Sequence, residues 1–179
     1  MKKEQLEITL ADAMPKDAKA LLDFYKVVGG ETDFLSFGEE GLGINQEQET
    51  RYLKSLQESL NNRALIARLG DEIIGVASIG AEPHAKVAHM GELGISILRR
   101  FWGLGLSRVM IEDMIDWATE NDILRYLRLE VSKDNMRAIN LYEKFSFEEI
   151  GITPKGIYHD GEFHDLVLMG LSVENQDQV

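Results

Sequence analysis

Two glycines and two arginines gather where a helix begins. In "RRFWGLGLSRVMIEDMIDWA", residues 99–118, Arg99 and Arg100 precede Gly103 and Gly105, and the run that follows carries Met110, Ile111, Met114, Ile115 and Ala118 at helical spacing. A strand ending near Leu98, a short glycine turn and a helix line up backbone N–H groups at the positive end of a helix dipole, which is the chemistry of a phosphate site. Glycine lets an anion approach the backbone, and the arginines add positive charge to an acidic chain. Glycine spacing alone favours a plainer account, a tight strand-to-helix turn. Two named phosphate motifs are excluded. Gly103-Leu104-Gly105 is followed by Leu106, Ser107 and Arg108 where a dinucleotide fingerprint needs a third glycine, and no Gly-Lys-Ser or Gly-Lys-Thr closes a P-loop.

A second group lies in "VSKDNMRAINLYEKFSFEEIG", residues 131–151. Asn135 and Tyr142 are seven apart, two helical turns, so both point to one side of a helix. Periodicity by itself makes Tyr142 a core aromatic with a wet hydroxyl. Glu92, in "HMGELGISIL", brings a carboxylate to the strand that leads into the glycine turn. A solvated strand-edge glutamate is an equal reading, because a one-residue shift of register sends a strand side chain to the other face. Gly91 and Gly94 permit a bulge there. His89, three residues earlier, has an imidazole suited to proton transfer near neutral pH, although a half-exposed strand histidine accounts for it as well. In "YHDGEFHD", His159, Asp160, His164 and Asp165 are metal-ligand types, but Asp160-Gly161 makes a hairpin turn and the histidines fall where a hairpin exposes them, so no metal site is predicted.

These residues need elements to hold them. "LEITLADA" alternates as a strand, and "PKDAKALLDFYKVV", with Pro15 in its first turn, reads as a helix stopped by Gly29 and Gly30. An acidic loop with Glu31, Asp33, Glu39 and Glu40 follows, then a polar helix over residues 46–60. "RALIARLG" and "EIIGVASIGA" form a hairpin across Gly70 and Asp71, and a longer strand runs from about residue 87 into the glycine turn. "RYLRLEVS" is a strand, "NMRAINLYEKF" a helix, and residues 147–171 a closing pair of strands. Hairpins in the first half and strand-helix alternation in the second predict a mixed α/β layer.

Composition bounds the function. The 179 residues and 44% hydrophobic content suit one globular domain. A net charge of −12 argues against a nucleic-acid binder, which needs a basic surface, and suits a cationic substrate, although plain solubility explains it too. With no cysteine there is no disulfide, no thiolate metal site and no cysteine nucleophile. No signal-peptide core and no run near the roughly 18 apolar residues of a membrane span is found, so a cytoplasmic protein without membrane association is predicted.

The glycine turn and the second group, in this order, resemble the GNAT superfamily of N-acetyltransferases, whose pyrophosphate loop is written Gln/Arg-x-x-Gly-x-Gly/Ala. The literal match is "RFWGLG", residues 100–105. The preferred register is "WGLGLS", residues 102–107, because "GLSRVMIEDMIDWA" then falls on the family's helix after the loop; it places Trp102 and Ser107 at positions where the pattern has other residues. "NMRAINLYEKFSF" is similar to the family's following helix, with Ser146 in place of the usual glycine before Phe147, and "ITLADAMPKDAKALL" to its first strand and helix.

The resemblance implies a mixed, mostly antiparallel central sheet of about six to seven strands flanked by about four helices. One domain would span residues 1–172, with a disordered tail at 173–179. It implies transfer of the acetyl group of acetyl-CoA directly to a primary amine in a ternary complex, the acceptor being a small amine, an amino-acid derivative, or a peptide or protein amino group. Ile97, Leu98, Arg99, Arg100, Trp102, Gly103, Leu104, Gly105, Leu106, Ser107, Asn135, Ala138 and Tyr142 would hold acetyl-CoA. N–H groups near Ile97 and Leu98 would face the thioester carbonyl, and Tyr142 would protonate the departing thiolate. Glu92 is the implied base, acting directly or through a water, with His89 second. Tyr158, Asp165 and the acidic loop would border the acceptor. A homodimer is consistent with the family, and a noncatalytic acyl-CoA-binding module on the same fold is the alternative.

Overall fold

The structure, a computed structural model, describes residues 7–174. β1 (Ile8–Asp12) leads through a 3-10 turn at Pro15–Asp17 into α1 (Ala18–Glu31), and α2 (Gln46–Glu58) follows after a loop. β2 (Arg63–Leu69) and β3 (Glu72–Ala81) make the hairpin at Gly70 and Asp71, and β4 (Met90–Ile97) runs toward α3 (Leu106–Glu120). β5 (Tyr126–Ser132), α4 (Met136–Lys144), β6 (Glu148–His159) and β7 (Glu162–Ser172) complete the order. The sheet has seven strands in the order β1-β2-β3-β4-β5-β7-β6. Among the described residues only β4 and β5 pair in parallel, so the mixed, mostly antiparallel sheet with four helices is the one the sequence implied.

Strand alternation divides β4 between two faces. Leu93 and Ile97 are buried on the α3 side, where Met110, Ile111, Met114 and Ala118 are fully enclosed. Ile97 and Met110 meet over Gly75, where an added Cβ would lie 3.2 Å from each. Glu92, Gly94 and Ser96 occupy the opposite face.

The β4–β5 pairing is short. Met90, Gly91 and Glu92 stand opposite Tyr126, Leu127 and Arg128, and the ladder ends there, although β4 continues to Ile97 and β5 to Ser132. The two strands therefore part just where β4 approaches the glycine turn.

Several local expectations are corrected. α1 is not stopped by Gly29 and Gly30 but runs through them to Glu31. Gly29 is there for close approach: a Cβ on it would lie 2.0 Å from the Gly38 carbonyl oxygen of the following loop. At Gly30 the nearest atom to an added Cβ is Glu39 Cβ at 3.5 Å, an ordinary contact. Gly29→Ala is thus expected to lower stability by about 1–3 kcal/mol through overpacking, whereas Gly30→Ala is expected to raise it by up to about 1 kcal/mol through helix propensity. Thermal melts of the two variants read the difference directly.

β4 begins at Met90 rather than near residue 87, because the N–H groups of Val87 and Ala88 turn back to the His84 carbonyl. Its register with β3 is continuous, without a bulge. Gly91 serves packing instead, since a Cβ there would lie 2.8 Å from Ile79 and 3.0 Å from Leu127 side-chain atoms. At the other end Val173, expected in the disordered tail, is buried and donates its N–H to the Arg125 carbonyl at 3.0 Å; residues 175–179 of that tail lie outside the described residues. Among the described residues no helix is long and apolar enough to cross a membrane.

Candidate functional site

Gly103 and Gly105 both hold left-handed backbone, φ 81° and 82°, conformations that a side chain strains. Gly105 is the N-cap of α3 and carries no side-chain cap, and the first turn of the helix contains no acidic residue. Val109 N–H is the one that returns to the Gly105 carbonyl, so the N–H groups of Leu106, Ser107 and Arg108 have no partner within the helix. An open N-terminus with glycine on its approach is suited in geometry and dipole to an anion. Because Ser107 already lies inside α3, the glycine turn ends where the register of residues 100–105 ends, not where that of 102–107 does.

The positive charges around this turn differ from those read in the sequence. The Arg100 guanidinium forms an ion pair with Glu72 on β3 and lies 5.0 Å from the Phe101 ring centre, so its charge is already partnered. Arg99 N–H donates to Glu31 Oε2 at 2.7 Å, which gives that acidic residue a structural task. The Arg99 and Arg137 guanidinium groups lie 5.7 Å and 5.5 Å from the Trp102 ring centre, and Arg137 reaches within 3.8 Å of where a Gly103 Cβ would be. Arg137 lies in "NMRAINLYEKF", but nothing in the spacing of that helix marks it for the glycine turn. Trp102 Nε1–H donates to the Ile97 carbonyl at 2.7 Å, fastening the turn to the end of β4.

That bond also fixes which way the backbone faces. Leu98 N–H donates to the Ile74 carbonyl of β3 at 3.0 Å, so it is not available to a thioester, contrary to the sequence expectation. Alternation then turns the N–H groups of Ile97 and Ile95 toward β5, into the opening beyond the last paired rung. Ile95 had no residue-type signal of its own; only the register reveals it.

Glu92 stands on that last rung with Arg128 opposite, Oε2 to Nη2 3.5 Å, both side chains about half exposed. His89, in contrast, precedes the strand and is exposed, and its carbonyl accepts the N–H groups of Arg125 and Tyr126.

α4 brings Asn135 and Tyr142 onto one element as the spacing required. Asn135 is the N-cap, its Oδ1 accepting Ala138 N–H at 3.2 Å, which leaves its amide NH2 for other contacts. Tyr142 is buried with its ring edge-on to Phe147, centroids 5.8 Å apart. Burial pushes its phenol up to about 12.

The α1–α2 loop and the β6–β7 hairpin border an open cleft of about 350 Å³ lined by residues that include Asp33, Phe37, Glu40 and Tyr158. Asp165 does not line it; its Oδ1 accepts Lys155 N–H at 3.0 Å and holds the irregular register of β6. Asp160 and Gly161 form the expected turn with φ 50° and 80°. His164 binds Asp134 at 2.7 Å and stacks on His159 at 4.0 Å, while Asp33, which the sequence did not bring there, joins His159 and Asp160 with ligand-type atoms within 4.8 Å of one another. The four residues of "YHDGEFHD" therefore do not make one ligand set.

The model of the acetyltransferase (GNAT) family matches residues 33–147, a span that holds the splayed strands, the glycine turn and α4. The chain belongs to this family. It is an acyltransferase by that membership. An L-amino acid N-acetyltransferase, AaaT, of Escherichia coli (strain K12) is 26% identical over 117 residues, covering 63% of this chain and 72% of that protein. Among solved structures, a GNAT-family acetyltransferase from Streptococcus pneumoniae is 36% identical with a TM-score of 0.90, covering 93% of this chain and 99% of that one. The putative acetyltransferase yncA of Salmonella typhimurium, solved with acetyl-CoA, shares the fold at a TM-score of 0.81 and 18% identity, covering 95% and 96%. The open α3 terminus follows on the end of β4, the strand that carries Glu92 at its last rung with β5.

Proposed function

We propose that this GNAT enzyme moves the acetyl group of acetyl-CoA to a primary amine held beside Glu92, both substrates being bound together. The observation that carries the reading is the uncapped N-terminus of α3 behind two left-handed glycines, with Arg137 and Arg99 at its flank. Its free N–H groups suit the diphosphate of a CoA ester, and the Asn135 amide NH2 suits the pantetheine arm. When bound, acetyl-CoA supplies a thioester, whose C–S bond breaks with its electron pair going to sulfur as the amine nitrogen bonds to the carbonyl carbon.

The chain's own groups manage charge and protons around that exchange. Ile95 and Ile97 N–H donate toward the thioester oxygen as negative charge grows on it. Glu92 takes a proton from the ammonium form of the acceptor, so that a neutral amine attacks. The second proton on nitrogen leaves to solvent, and Tyr142 O–H donates to the departing sulfur. Direct attack fits a chain without cysteine.

The test is CoA-thiol release from acetyl-CoA with amino acids, polyamines, aminoglycosides and N-terminal peptides, alongside calorimetric binding of acetyl-CoA. Gly105→Val is expected to weaken acetyl-CoA binding by about tenfold or more, the order of a lost helix-terminus anion contact. Binding unaffected by that change overturns the assignment of the turn. Tight binding without thiol release to any amine favours the noncatalytic acyl-CoA-binding module.

A further inference from the structure

We infer that the acceptor carries an anionic group next to its amine, an α-amino acid in zwitterionic form, and that Arg128 binds its carboxylate while Glu92 receives its ammonium. This rests on the acetyltransferase reading above and names the substrate class of the same site.

Glu92 and Arg128 share the final paired rung of β4 and β5, on one face of the sheet. Their closest approach is 3.5 Å, with side chains 58% and 47% exposed. A charge-assisted bond that holds a structure together is shorter, about 2.7–2.9 Å. The chain contains such a bond for comparison: Arg63 grips Asp12 at 2.8 Å and Asp113 at 2.5 Å and is only 17% exposed. Arg128 makes no other polar contact among the described residues. Glu130, two residues along the same face, accepts Thr153 Oγ1–H at 3.2 Å, and the residue paired with Arg128 on β7 is Gly170, which brings no side chain to it. A five-donor guanidinium is thus left at the mouth of the opening with one loose partner.

A zwitterion fits alongside the two. The amine nitrogen and carboxyl carbon of an α-amino acid are about 2.5 Å apart, so one molecule lying beside the pair can present its ammonium to Glu92 and its carboxylate to Arg128, whose own charged atoms stand 3.5 Å apart. The exchange replaces one loose ion pair by two and leaves the local charge unchanged. A polyamine gains from Glu92 but meets repulsion at Arg128, and an amino acid whose carboxylate is blocked loses half of the recognition.

Steady-state rates of thiol release decide this, with L-amino acids, their amides and methyl esters, and a diamine as acceptors, for the wild type, Arg128→Gln and Arg128→Lys. The wild type is expected to prefer free amino acids to their amides by about 30-fold or more in kcat/KM, as a site built for a polar group rejects the analogue lacking it. Arg128→Gln is expected to abolish that preference through a raised KM for the free acid, with kcat and rates on the amide within a few fold, and Arg128→Lys to restore part of it. A merely structural Arg128 would lower all acceptors together. Equal loss on acid and amide, or a wild type that favours amides or diamines, overturns the assignment while leaving the transferase standing; no thiol release with any amine overturns both.

Discussion

Tyr142→Phe is expected to lower kcat by about 100-fold or more, the usual range for a positioned proton donor, while leaving acetyl-CoA affinity and melting temperature near those of the wild type. The ring of Tyr142 is buried edge-on to Phe147 at 5.8 Å, and phenylalanine preserves that packing. The hydroxyl makes no hydrogen bond among the described residues and is not among the enclosed unpaired atoms, so its removal strands no partner. Burial raises the phenol to about 12. At neutral pH it is therefore protonated and able to donate.

The same shift limits how Tyr142 works. A thiol in water titrates near about 8.5, so complete transfer from a phenol at about 12 is uphill by about 5 kcal/mol. The water-poor surroundings that raise the phenol also raise a thiol bound beside it, because they disfavour both anions. In the proposed mechanism Tyr142 thus acts as a hydrogen-bond donor whose bond strengthens as charge moves onto sulfur, with the proton following as the gap closes. An unchanged kcat in the phenylalanine variant removes Tyr142 from the reaction.

Local pattern was enough to read most elements in the sequence, because each has its own period: the buried stripe of α3, the alternation of β2 and β3, the Asp160-Gly161 turn. The errors lie where distant segments decide. Gly29 looks like a helix stop, yet the Gly38 carbonyl of a later loop needs its missing side chain. Gly91 looks like the seat of a bulge, yet Ile79 and Leu127 press on it. The candidate site divides the same way. Gly103, Gly105, Asn135 and Tyr142 are visible by type and spacing. The engagement of Leu98 N–H by Ile74, the opening of Ile95 toward β5 and the approach of Arg137 to the turn all depend on register or on packing between elements, which one strand or helix does not encode. Arg100, prominent in the sequence, is drawn away by Glu72 on β3.

Glu92→Gln is expected to lower kcat/KM by about 10²–10⁴-fold at neutral pH. Glutamine keeps the side chain's size, and the pair it breaks with Arg128 is half exposed at 3.5 Å, a class of contact worth at most about 1 kcal/mol. A large loss of rate therefore reports chemistry and not unfolding, and a thermal melt checks that. The pH profile carries the sharper distinction. An amine that must find its own base reacts through its small deprotonated fraction, so the variant's rate should climb about tenfold per pH unit below the amine's own pKa, narrowing the gap to the wild type as pH rises. His89→Ala separates the two candidate bases. Its imidazole lies on an exposed residue before β4 begins, and what the fold uses there is the His89 carbonyl, held by the N–H groups of Arg125 and Tyr126, so that variant should match the wild type. If Glu92→Gln instead follows the wild-type profile at every pH, the proton goes to water, and the position of Glu92 at the last rung between β4 and β5 serves only to hold the acceptor.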